Sequence, residues 1–286
     1  MRVVSEGLSF SYDPKSKRKV YALKDLNLTV EEGEFFGIIG CTGSGKSTFI
    51  QHLNALIPVQ EGKLHVGDFD LNPKCKGYKK QLGKLRSRVG MVFQYPEYQL
   101  FAESVYKDVV FGVNNFFPEI SENEAESRVY SALTAVGLDY RAIRDKSPFD
   151  LSGGQKRRVA IAGVLATEPD VLVLDEPVAG LDPLGKKILM ELLHAISSPT
   201  RTIIVVSHDM DEVCENCSRI AVFQKGKLLV SDTPEKVFAD PENTRGLELP
   251  LVARLENALK KEGCMLSCEM KTDAFIDEIT RVFKAR

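Results

Sequence analysis

Gly40, Gly45, Lys46 and Ser47 stand in the spacing G-x-x-x-x-G-K-[ST], a pattern suited to holding phosphate. Glycines lack a Cβ, so the backbone N–H groups of Gly40, Cys41, Thr42, Gly43, Ser44 and Gly45 are free to curl around anionic oxygens. A helix expected to open near Lys46 and run through Ser47 and Thr48 points its positive end at the same anion. The Lys46 ammonium suits β- and γ-phosphates, and the Ser47 hydroxyl suits Mg²⁺. The expected ligand is a nucleoside triphosphate, ATP above all, with its Mg²⁺. Further along, the run VLVLDE ends in Asp175 and Glu176. The first carboxylate is placed to hold the nucleotide's Mg²⁺ and the second to orient and polarise an attacking water. In the stretch LSGGQ, Ser152 with Gly153 and Gly154 opens another helix and so makes a second anion site.

These residues need a frame, and the apolar pattern supplies one. Phe35–Ile39, Val89–Phe93, Val171–Leu174 and Thr202–Val206 are short apolar runs without alternation. They read as parallel strands buried on both faces. Each delivers polar chemistry at its carboxyl end, where ligands bind in open α/β sheets: the phosphate loop, Gln94, Asp175-Glu176 and Ser207-His208. Residues 3–12 and 21–30 look like strands of an antiparallel sheet, with a further short strand through Lys63–Val66. Ser121 and Glu124 form a capping box for a helix reaching to Gly137. A second helix follows Ser152 and runs to about Glu168, ahead of Pro169. A third follows Asp182-Pro183, with Ile188, Leu189, Leu192, Leu193 and Ile196 on its buried side. Beyond about Thr233, prolines punctuate the chain, and residues 251–262 and 271–284 read as two amphipathic segments.

Composition narrows the function. The chain has 286 residues, 43% hydrophobic and 27% charged, enough for one or two domains with ample core. A net charge of −2 gives no basic field for nucleic acid. No apolar run approaches a membrane span, and the first residues lack the pattern of a signal peptide. The expectation is a cytoplasmic protein that meets a membrane only through a partner. Six cysteines scattered through this length do not suggest a disulfide framework. Cys214 and Cys217 form one CxxC on an expected helix, whereas zinc wants four ligands, which only Cys264 and Cys268 could complete. Lys74 to Arg88 carries a basic run that reads as a solvated face, with lipid headgroups or a coupling subunit as the other reading.

The phosphate loop, Gln94, LSGGQ, VLVLDEP, the AGLD at 179–182 and His208 occur in the order found in ATP-binding cassette ATPases, a resemblance that covers roughly residues 3–232. It implies a P-loop NTPase core with a parallel sheet, an N-terminal antiparallel β subdomain, a helical signature subdomain and a small C-terminal extension. Tyr12 then resembles the aromatic that stacks on adenine. Gln94 resembles the residue that contacts Mg²⁺ or the lytic water, Glu176 the catalytic base, and His208 the switch histidine. Asp182 resembles the residue linking two active sites. Ser152, Gly153, Gly154 and Gln155 would close over the ATP of the opposite protomer, so the working unit would be a dimer.

A narrower resemblance lies in VFQYPEYQLFAESVYKDVVFGVNN (92–115), which is similar to the energy-coupling-factor transporter ATPases. It implies that ATP hydrolysis drives uptake of a vitamin or metal ion. The implied partners are a second ATPase subunit, identical or a paralogue, a membrane coupling subunit and a substrate-binding membrane subunit. Residues 1–232 would be the nucleotide-binding domain, with a helical insertion at about 95–168, and 233–286 a dimerisation element. The protein would work at the cytoplasmic face of the membrane. Tyr98, Leu100 and Phe101 are expected on a surface loop as a dock for the coupling subunit. Another cassette importer or exporter, a soluble cassette ATPase, and a nucleotide-sensing scaffold without turnover remain the alternatives.

Overall fold

The computed structural model describes residues 1–15, 19–262 and 270–284. Val3–Phe10 (β1) pairs antiparallel with Leu23–Val30 (β2), Val3 opposite Val30 and Phe10 opposite Leu23. The strand expected to reach residue 12 stops at Phe10. Ser11 gives its N–H to Gln60 Oε1 at 3.1 Å and its hydroxyl to the Val20 carbonyl at 2.8 Å, so the ladder loses its partner there. Phe35–Ile39 (β3) leads through the phosphate loop into Lys46–Leu53 (α1). Glu61–Val66 (β4) joins the free edge of β1, and Phe69–Asp70 (β5) follows it. The first sheet therefore runs β2-β1-β4-β5, antiparallel throughout.

Tyr78–Arg88 (α2) feeds Val89–Val92 (β6), and three helices come next: Val105–Phe116 (α3), Glu122–Ala135 (α4) and Tyr140–Ile143 (α5). Gly153–Leu165 (α6) carries LSGGQ at its start. Val171–Asp175 (β7), Pro183–Ile196 (α7), Thr202–Val206 (β8), Met210–Asn216 (α8), Arg219–Gln224 (β9) and Lys227–Asp232 (β10) complete a second sheet. Its order is β10-β9-β3-β8-β7-β6, parallel from β9 to β6 with β10 folded back antiparallel. Pro234–Ala239 (α9), Leu251–Lys261 (α10) and Thr272–Lys284 (α11) follow.

The four apolar runs are the parallel strands β3, β8, β7 and β6, with β6 at the sheet edge, and their lack of alternation has a visible cause. Ile38, Val173, Ile204 and Val206 pack with Leu8 and Leu26 of the first sheet and Phe49 of α1. Ile39, Leu172, Leu174, Ile203 and Val205 pack on the other side with Val109, Ile161, Leu189 and Leu193 of the helices. Both faces are dry, so nearly every position is apolar, and the one polar strand opener, Thr202, gives its hydroxyl to the Met1 carbonyl at 2.9 Å.

The helices end earlier than expected. α6 stops at Leu165 because the Thr167 hydroxyl turns back onto the Val164 carbonyl at 2.8 Å and Glu168 takes φ +53 ahead of Pro169. α4 stops at Ala135, two residues before Gly137 at φ +67. At its start the Ser121 hydroxyl accepts from the Glu124 N–H at 3.3 Å. On α7, Ile188 is 43% exposed while Leu189, Leu192, Leu193 and Ile196 are buried, because its apolar stripe is narrower than the pattern suggested. The C-terminal helices are not a loose tail. Val252, Ala253 and Phe275 join the main core, and α8 receives the Leu251 N–H on Asp211 Oδ1 at 2.6 Å and the Thr272 N–H on Glu215 Oε1 at 2.7 Å.

Candidate functional site

The phosphate loop is forced by its glycines. Gly40 has φ +149, and a Cβ there would meet the Phe223 carbonyl oxygen at 2.3 Å; Gly45 has φ +106, and a Cβ would meet the Ala22 carbonyl oxygen at 2.5 Å. No other residue type fits either position without moving backbone. The Lys46 ammonium donates to the Gly40 and Cys41 carbonyls at 2.7 and 3.2 Å. Burial pulls its pKa below the usual lysine range, opposed by the nearby carboxylates of Glu176 and Asp175. Ser44 is buried, and the Thr48 hydroxyl meets the Tyr12 hydroxyl at 3.1 Å. The Tyr12 ring stands edge-on to Phe10 and is 66% exposed, so its face is open to a ligand.

Across the loop stands the end of β7. Burial raises the Asp175 carboxyl above the usual range, while a hydrogen bond from Ser47 and the charge of Lys46 act against that rise. Glu176 leaves the strand with φ +50, in the left-handed region. A non-glycine residue there costs about 1–3 kcal/mol and is characteristic of functional turns. Its N–H is held by the Val206 carbonyl at 2.9 Å, which ties it to β8. From the end of β8, His208 Nδ1 lies 2.6 Å from Glu176 Oε2. Beneath this turn the Ser207 hydroxyl donates to Glu212 Oε2 at 3.1 Å, and the Lys186 ammonium pairs with Asp209 at 2.6 Å. Burial pushes the Glu212 carboxyl up to about 7.

The phosphate loop and the strand-end residues line a cleft of about 590 Å³, and Tyr12 is not among its walls. Its walls include Gly40, Cys41, Thr42 and Gly43, then Lys46 and Ser47, then Gln94, Asp175, Glu176 and His208. Ser44, Gly45 and Thr48 lie in the same loop and helix start without lining it. Ser152, Gly153, Gly154 and Gln155 are not part of it either. Ser152 caps α6, and Gln155 answers on the Ser152 N–H, a complete capping box whose Ser152, Gly153 and Gly154 are exposed. Asp182 caps α7 through the Gly185 N–H at 2.6 Å and is also exposed. The signature residues and the phosphate loop of one chain thus do not share a cleft.

Four cleft residues escaped the sequence reading: Met210, at the start of α8, and three from a distant segment. Gly246, Leu247 and Glu248 form part of the wall, and the Cys41 thiol lies 3.4 Å from the Gly246 carbonyl. They belong to an irregular segment more than 200 residues from the loop, and only Pro241 and Pro250 mark it in the sequence.

Cys214 and Cys217 are both buried, and burial raises both thiols. They fill core space, and among the described residues no group of three or more His, Cys, Asp or Glu could hold a metal. Cys264 and Cys268 lie outside the described residues. In the basic run, Arg86 donates to the Asn54 and Ala55 carbonyls, while Lys74, Lys76, Lys79, Lys80 and Lys84 are exposed.

Comparison with known proteins agrees with this geometry. The family described as ABC transporter matches residues 23–179. An energy-coupling factor transporter ATP-binding protein EcfA2 from Clostridium tetani is 45% identical over 270 residues, covering 93% of this chain and 92% of that protein. The protein of the same name from Clostridium acetobutylicum is 43% identical over 289 residues, covering 100% and 99%. Among solved structures, cbiO1 from Clostridium perfringens, part of the ABC transporter complex cbiONQ, superposes with a TM-score of 0.74 at 36% identity, covering 91% of this chain and 96% of that one. A dimeric ATP-binding cassette in a post-hydrolysis state with ADP and Pi gives a TM-score of 0.70 at 29% identity, covering 81% and 98%. With the ordered motifs, the shared cleft and near-complete coverage by these relatives, the chain belongs to the ABC transporter ATPases, in the group of energy-coupling factor transporter ATP-binding proteins.

Proposed function

We propose that this chain is the ATP-hydrolysing subunit of an energy-coupling factor importer, driving uptake of a vitamin or metal ion through membrane partners. The observation that carries the reading is the convergence of Lys46, Ser47, Gln94, Asp175 and the Glu176–His208 pair on one cleft at the carboxyl ends of parallel strands. Lys46 binds the β- and γ-phosphates, and the loop N–H groups complete that cradle. Tyr12 offers its exposed ring to the base. Glu176, oriented by His208, holds the attacking water and takes its proton as the new oxygen–phosphorus bond forms and the β–γ bridge breaks. The products are ADP and inorganic phosphate.

Mg²⁺ fits the donors present. Ser47 and Asp175 already meet through a hydrogen bond, and Gln94 lines the same wall. Hydroxyl, carboxylate and amide oxygens are hard ligands, and one carboxylate suits an ion that shares its shell with phosphates. When bound, the ion neutralises charge on the phosphate oxygens.

The exposed signature residues support a dimer, in which Ser152, Gly153, Gly154 and Gln155 of one ATPase subunit cover the cleft of the other. Residues 1–232 form the nucleotide-binding domain in this reading, with 95–168 as its helical part and 233–286 as the dimerisation element. The membrane coupling subunit docks beside Gln94. A groove of about 370 Å³ there is bordered by Met91, Phe93, Phe101, Phe111 and Phe116. Tyr98 is 84% exposed and Phe101 59%. Leu100, expected beside them, is turned inward at 6% exposure into the core with Val105 and Val109. Among the described residues no helix is long and apolar enough to cross a membrane, in keeping with a peripheral subunit at the cytoplasmic face.

Phosphate release by the purified chain with its ATPase partner tests the reading. Glu176→Gln should keep ATP affinity and lower turnover by about a hundredfold or more, the scale for losing a general base. It should also accumulate a closed dimer with ATP, seen as a doubled mass on sizing. Near-normal turnover in the variant would remove Glu176 from the base role.

A further inference from the structure

Arg157 lies two residues beyond LSGGQ and is 3% exposed. Its Nε donates to Glu97 Oε2 at 3.2 Å, and its Nη1 donates to the Ala179 carbonyl at 2.9 Å. Nη2 is buried without a partner. Glu97 sits in the single helical turn Pro96–Gln99, three residues after Gln94 and next to the exposed Tyr98. Ala179 sits in the turn after β7, and its N–H donates to the Glu176 carbonyl at 3.1 Å. One guanidinium therefore joins segments 60 and 22 residues away from it. A continuous run of hydrogen bonds passes from Glu97 through Arg157 and Ala179 to the backbone of Glu176.

We propose that Arg157 is a positioning residue that makes the segment after Gln94, the helix carrying LSGGQ and the turn carrying Glu176 move as one body during turnover. Stability alone is a poor reason for this arrangement. A buried ion pair with one donor left unsatisfied is often no more stable than apolar residues of the same volume. A planar fork does, however, fix two acceptors at a set distance and angle, which a lysine point charge cannot. Each tied segment bears on a different part of the cycle. The first borders the groove assigned to the membrane partner. The second presents the residues that close over the other subunit's ATP. The third carries the catalytic carboxylate and leads to Asp182. A push on the Pro96–Gln99 turn reaches the other two through the paired Glu97 and Arg157 side chains.

The inference rests on the hydrolysis reading, and a kinetic cycle separates the two. The full chain with its ATPase partner would be assayed as Arg157→Lys, Glu97→Gln and the double variant, with Glu176→Gln as the zero-turnover reference. Each single variant should lose about tenfold or more in kcat while KM for ATP stays within about threefold, the mark of an interaction made after binding. Melting temperatures should fall, since each single variant leaves a buried polar group without its partner, so kcat is compared at temperatures where every variant is fully folded. The double variant should lose no more than the worse single, because both remove one link. Parent-like kcat in the singles overturns the proposal. So do losses that multiply in the double, or a loss that tracks melting temperature and recovers on cooling. A parent with no more turnover than Glu176→Gln sinks the hydrolysis reading itself, and this proposal with it.

Discussion

Glu212 is a buried acid beneath the switch turn, and its burial makes a pH signature. Folding raises its carboxyl from 4.5 to about 7. The folded chain then keeps a proton that the unfolded chain releases. Its contribution to stability is fully present below the unfolded value and is lost as pH rises toward 7, a span on the order of 3 kcal/mol. Glu212→Gln imitates the protonated form and still accepts from Ser207. Its melting temperature should exceed the parent's by more at pH 8 than at pH 5; an equal offset at both would show that Glu212 titrates normally. Glu212 went unnoticed in the sequence because a Glu on a short helix carries no sign of burial. Lys46, Asp175 and Glu176 were legible as candidates from their motifs and strand-end positions, and His208 from its strand-end position and the cassette resemblance. Arg157 and Glu97 were not, since nothing in either residue announces a partner so far along the chain.

At the scale of elements, the legible pieces were those with one clear physical demand. β3, β6, β7 and β8 are dry on both faces, and α6 and α7 begin with side-chain caps. The β9–β10 hairpin was missed although Ile220–Phe223 is a buried apolar run, because no motif residue follows it and β10 is half-exposed. Leu100 was misplaced because a segment expected on the surface as a loop still turns one of its apolar side chains inward, here just after the Pro96–Gln99 turn. The docking surface is therefore tested through the two exposed residues. Tyr98 and Phe101 changed together to Ser should release the subunit from membranes carrying its partners, with ATP binding by the isolated chain kept. Continued co-sedimentation would remove the groove as the dock. The C-terminal helices invite another test. Phe275 of α11 is 3% exposed within the main core. Phe275→Ala should cost about 3–5 kcal/mol and shift one cooperative melting transition. A new early transition, with the main one unmoved, would mean that the extension unfolds by itself.

At the scale of the whole molecule, the signature residues lie outside the cleft formed by the phosphate loop of the same chain. Ser152→Arg should leave ATP binding by the isolated chain unchanged and abolish turnover of the dimer. Weakened binding in the isolated chain would instead put Ser152 in its own site. The C-terminal segment also reaches both ends of the machinery. It is anchored on α8, just beyond His208, and Gly246 touches the phosphate loop. That contact has a pharmacological side. The loop pattern leaves position 41 unspecified, yet this chain places an exposed thiol there, in the wall of the nucleotide cleft. An electrophile shaped for the space between the loop and Leu247 would bond this subunit covalently and pass over any ATPase without sulfur at that position. The selectivity would come from one side chain that the loop pattern does not require, so Cys41→Ser would abolish labelling while leaving the phosphate grip in place.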